Sequence, residues 1–165
     1  MLLPPFSWCS MRSIVIGIGN PFRTDDAVGV QVVCRLSELL RERTDVCTAE
    51  LYAGGMRLME AMAGFDRAIV IDASVTPEGR PGTLRWLESA EWPRARNTCS
   101  THDVSLGLAL EFGRLGGLSL PGEIRVLAVE AKDVETIGET LTPEVAKVVP
   151  AVIEAVLQQI GPESS

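Results

Sequence analysis

Residues 15–30 read VIGIGNPFRTDDAVGV, and the change of period inside this stretch decides the fold. Its first half is an apolar run closed by Gly17 and Gly19, as a buried strand running into a tight turn would be. Its second half starts a new pattern. From Asp26 to Arg43, Val28, Val32, Val33, Leu36, Leu39 and Leu40 recur at three- and four-residue steps, one face of a helix whose last turn carries Arg41 and Arg43. Short strand-like runs follow at VCTAELY (46–52), RAIVID (67–72), TLRWLE (83–88) and EIRVLAVE (123–130). Strands alternating with helical segments predict a three-layer α/β fold, a single mostly parallel twisted sheet with helices on both faces.

The last helix has Thr142 as its N-cap and Pro143 at its first position, with Val145, Val148, Val149, Val152, Ile153, Val156, Leu157 and Ile160 as a stripe and Pro150 as an expected kink. Another helix is expected from near His102 to Gly116 and Gly117. A chain of 165 residues, 46% hydrophobic, suits a single domain over residues 1–165. Residues 1–10, MLLPPFSWCS, depart from the pattern and read as an upstream extension, with Met11 an alternative start and 11–160 the patterned domain. They have no cationic n-region and are too short an apolar run for a signal peptide or a span, so no membrane insertion is expected. A net charge of −7 and no basic run of five residues argue against nucleic acid as a partner. Cys9, Cys34, Cys47 and Cys99 are scattered without a C-x-x-C pair, which fits a reduced, cytoplasmic protein.

In open α/β sheets, sites gather beyond the carboxyl ends of the strands. A dinucleotide site would need a third glycine where Phe22 stands, and two aspartates at the helix start would repel a pyrophosphate. The acidic pair divides naturally: Asp25 as helix cap, where Asn would cost about 1 kcal/mol or less, and Asp26 free to face the crevice. Asp72 ends the apolar run IVID, where burial needs a partner: a second carboxylate with a raised pKa, or a cation. His102, the only histidine, falls in CSTHDVSLG, where a helix start would keep its ring neutral and able to bind a metal or act as a base. Cys99, three residues earlier, is a weak candidate for a thiol nucleophile. Met56, Met59 and Met62 read as core packing.

Together GIGNPFRTDDAVGV, VIDA, STHD followed by LGLAL, and GETLTPEV occur in an order that resembles the hydrogenase maturation endopeptidases, over about Met11 to Ile160. The resemblance implies a peptidase that removes the C-terminal extension of a nickel-iron hydrogenase large-subunit precursor after nickel insertion, activating the enzyme. It places the metal ligands at Asp26, Asp72 and His102, makes Asp26 and Asp72 the catalytic candidates, and assigns substrate recognition to Gly54 and Gly55. Many members carry Glu where this chain has Asp26, one methylene shorter. The implied metal is nickel brought by the substrate, with zinc-like divalent ions able to substitute in an N/O site of this kind. No H-E-x-x-H helix and no Ser-His-Asp set marks hydrolysis, so the alternative is a noncatalytic, chaperone-like module that binds the nickel-loaded subunit.

Overall fold

The computed structural model describes residues 11–97 and 104–163. All five expected strands form: β1 (Ser13–Ile18), β2 (Val46–Leu51), β3 (Arg67–Ser74), β4 (Leu84–Leu87) and β5 (Glu123–Glu130), in one sheet of order β2-β1-β3-β5-β4. The first four strands of that order run parallel, and β4 lies antiparallel to β5 at the edge. The helices are α1 (Val28–Leu39), α2 (Met56–Met62), α3 (Leu106–Leu115) and α4 (Pro143–Ile160).

Alternation along the strands splits the core into two layers. Val15, Ile69, Ile71 and Val129 pack with Val32 and Leu36 of α1 and Val145, Val149 and Val152 of α4. Ile14, Ile16, Ala68 and Val70 pack on the other side with Leu58, Met59 and Met62 of α2 and Leu106, Ala109 and Leu110 of α3. Met59 and Met62 are core residues as expected, while Met56 is 39% exposed. Every side chain of β1 and all but the first of β3 is buried, which is why these strands read as unbroken apolar runs.

Three helix boundaries depart from the sequence reading. Residues Thr24–Ala27 form a separate 3-10 turn, and α1 begins only at Val28 and ends at Leu39. Arg43 therefore lies outside α1, where it forms a two-pronged pair with Asp45 at 2.8 and 2.7 Å and donates to the Gly161 carbonyl. Helix α3 starts at Leu106, with the Ser105 hydroxyl accepting from the Leu108 amide at 3.3 Å; α4, by contrast, starts at Pro143 after the N-cap Thr142 as expected. Among the described residues no helix is long and apolar enough to cross a membrane.

Gly17 and Gly29 explain the seat of α1. A β-carbon on Gly17 would overlap the Gly29 carbonyl, and one on Gly29 would overlap the Ile71 carbonyl and lie 2.7 Å from that of Ile18. The helix rests backbone to backbone across β1 and β3, so these glycines serve packing and not a phosphate.

Candidate active site

The chain leaves β1 for β2 on one side and later returns to β3 on the other, so the carboxyl ends of β1 and β3 flank the crevice where the strand order reverses. Gly19, at φ +151, turns the chain there, with no room for a β-carbon against the Asp26 carbonyl. The acidic pair is thereby fixed at the crevice, both members buried.

Asp25 is not the cap of α1: no side-chain cap bond is made at the start of either the 3-10 turn or α1. Its carboxylate instead holds the loop between β5 and α4. One oxygen accepts from Lys132 N at 2.9 Å, Asp133 N at 3.1 Å and Thr142 Oγ1 at 2.8 Å, and the other from Thr142 N at 2.7 Å. Thr142 is the N-cap of α4, so Asp25 fixes the helix that follows the last strand.

Asp26 faces the other way. One of its oxygens accepts from Asn20 N at 3.0 Å, and the other meets Asn97 Nδ2 at 2.8 Å and Arg96 Nε at 3.2 Å. Asp72 lies in β3 in phase with Ala68 and Val70, on the α2/α3 side of the sheet. Asn97 Nδ2 reaches Asp72 Oδ1 at 2.9 Å, and the Asn97 amide donates to Asp72 Oδ2 at 2.6 Å. A single side-chain amide therefore lies between the two carboxylates. Burial pushes the Asp72 carboxyl up to about 7; the Asn97 hydrogen bonds oppose the rise, and the neighbouring Asp26 adds to it.

Asn97 is held by backbone contacts along the end of β3. Ala95 pairs with Ser74 as an isolated antiparallel bridge, and Arg96 N donates to Ala73 O at 2.7 Å. Arg96 also binds Glu135 at 2.9 Å, and Glu135 binds Arg23 at 3.0 Å, linking three loops around Asp26. Arg96 shares the wall of a cavity of about 650 Å³ with Val75, Thr76, Pro77, Glu78, Arg85 and Pro93.

His102 and Cys99 lie outside the described residues. Among the described residues no group of three or more His, Cys, Asp or Glu side chains is placed to hold a metal ion. Asp26 and Asp72 are two oxygen donors of a kind a divalent cation could take. Gly54 and Gly55 are buried at the carboxyl end of β2, where Gly55, at φ +57, is the N-cap of α2. The positive φ of Gly55 is a conformation that favours glycine. Asn97 and Arg96 were absent from the sequence reading, because they sit in a stretch with no periodicity and no motif.

Three comparisons bear on this geometry. A family model described as hydrogenase maturation protease matches residues 30–159. The Hydrogenase 2 maturation protease of Escherichia coli strain K12 is 32% identical over 91% of this chain and 88% of its own length. The coenzyme F420 hydrogenase subunit delta of Methanothermobacter thermautotrophicus is 28% identical over 90% of this chain and 94% of its own. Among solved structures, the hydrogenase maturating endopeptidase HybD from E. coli superposes with a TM-score of 0.73 and 30% identity, covering 91% of this chain and 92% of that one.

Proposed function

The chain belongs to the hydrogenase maturation protease family and is a peptidase, and from that premise we propose that it removes the C-terminal extension of a nickel-iron hydrogenase large-subunit precursor once nickel is in place. The observation that carries this reading is the convergence of two buried carboxylates, Asp26 and Asp72, on one point at the switch of strand order. The nickel arrives with the precursor and serves as the recognition element. Asp26 and Asp72 offer it oxygen ligands and His102 a nitrogen, a set that zinc-like ions would also suit.

Around this point the loops at the carboxyl ends expose Phe22 (62%), Tyr52 (64%), Val75 (55%) and Ile137 (86%). An apolar rim about a polar centre suits a protein partner. Arg96, paired with Asp26, also lines the cavity described above, a place for the tail to cross. Holding the scissile bond against the pair turns an encounter into a positioned reaction. The exposed, unpaired thiols Cys34 and Cys47 fit a reducing, cytoplasmic setting.

The test is the intact mass of the precursor after incubation with this protein, nickel-loaded and nickel-free side by side. Loss of a C-terminal fragment from the loaded form alone is expected; equal cleavage of both forms would overturn the nickel gate. Asp26→Asn is expected to abolish cleavage while the thermal unfolding curve keeps its shape. Full cleavage by that variant would remove Asp26 from the site.

A further inference from the structure

We propose that the Asn97 side chain is a built-in stand-in for the cation: its NH2 group fills the wedge between Asp26 and Asp72 until a metal-loaded precursor displaces it. The inference rests on the metal-recognition reading above and assigns a positioning role to a residue outside the expected ligand set.

The geometry is direct. Asn97 Nδ2 stands 2.8 Å from Asp26 Oδ1 and 2.9 Å from Asp72 Oδ1, so its two protons point one at each carboxylate. A cation bound by both of these oxygens would lie in the same wedge, roughly 2.0–2.2 Å from each. An amide nitrogen cannot serve as a ligand there, since its lone pair is delocalised and its protons face the oxygens. Amide and cation therefore exclude one another.

The amide can leave without dismantling the site. The Asn97 backbone N–H holds Asp72 Oδ2 at 2.6 Å independently of the side chain, and Arg96 N stays on Ala73 O at 2.7 Å. Rotation about the side-chain bonds of Asn97 would withdraw the amide from both carboxylates, while Arg96, on Asp26 at 3.2 Å and on Glu135 at 2.9 Å, keeps the neighbouring loop in place. A bare ion must break two hydrogen bonds to carboxylates with nothing else to offset them. A precursor-bound ion brings the contacts of the whole subunit, so Asn97 tilts the site towards loaded precursor and away from free metal.

The experiment titrates Ni2+ alone into the wild-type protein, Asn97→Ala, Asn97→Ser and Asp72→Asn by calorimetry, with thermal unfolding of each measured without and with Ni2+. Both Asn97 variants are expected to bind Ni2+ at least tenfold more tightly than wild type, about 1.4 kcal/mol. Their metal-free unfolding midpoints should fall, and Ni2+ should restore them by a larger shift than it gives wild type. A merely structural Asn97 would leave a loss that Ni2+ does not recover. Equal or weaker Ni2+ binding by the Asn97 variants overturns the inference. If Asp72→Asn also weakens binding in that case, the metal reading survives without it. No Ni2+ uptake even with the wedge vacated also overturns the inference, and the precursor assay then judges the metal reading separately.

Discussion

Asp25 and Asp26 are adjacent in the chain and opposite in use, and the difference lies in what each oxygen accepts. Asp25 takes four hydrogen bonds from the loop between β5 and α4 and has no oxygen to spare. Asn at this position would turn an NH2 group against at least one N–H donor. The expected loss is about 3 kcal/mol, well above that of a surface cap, read from chemical denaturation. A loss under about 1 kcal/mol would restore the capping role first expected. Asp72 carries a different prediction. Its pKa, near 3.8 in the unfolded chain, is raised to about 7 by burial, so the folded protein holds a proton there that the unfolded one has released. Its contribution to stability is fully present below about pH 4 and is lost as pH rises through about 7. Urea midpoints of wild type should therefore fall across this window relative to Asp72→Asn; parallel curves would show that Asp72 titrates alike in both states.

The join between α1 and the sheet depends on two positions without side chains. Gly29→Ala would drive a methyl group into the carbonyls of Ile71 and Ile18 and should cost about 3 kcal/mol or more, with the β1–α1 turn displaced. Gly107→Ala is the matching control. It lies within α3, exposed, with nothing within 4 Å of an added β-carbon, and should stabilise by about 0.5–1 kcal/mol. Thermal melts of the two variants should move in opposite directions, and a shift of the same sign would refute the packing account. Strands are where the sequence was most legible: β1, β3 and the second half of β5 are buried apolar runs, and β5 spans the expected residues 123–130. Helix starts were less legible, because the Thr24–Ala27 turn is shaped by contacts with Asp133 and not by its own residues. At the site, Asp26 and Asp72 could be read as acidic residues at strand ends. Asn97 could not, since its partners stand 71 and 25 positions away and only the parallel pairing of β1 with β3 brings them together.

Across the whole molecule, the exposed apolar side chains on the loops beyond the carboxyl ends share one rim with the carboxylates. Ile137, 86% exposed, makes little contact with its own fold, so Ile137→Lys should leave the unfolding midpoint unchanged. It should weaken precursor binding about tenfold, the size of one lost interface anchor. Unchanged affinity, measured by calorimetry with the loaded precursor, would move the docking surface elsewhere. The bonds of Asp25 set an order of events as well as a shape. Thr142 follows Asp25 by 117 positions, so on the ribosome the first loop to emerge must wait for almost the last element before its carboxylate finds its donors. At 5–20 residues per second that wait lasts roughly 6 to 23 s. Asp25 cannot be fully seated before Thr142 has emerged, and a chain released before residue 142 would carry every strand of the sheet with the clasp between the first loop and α4 still open.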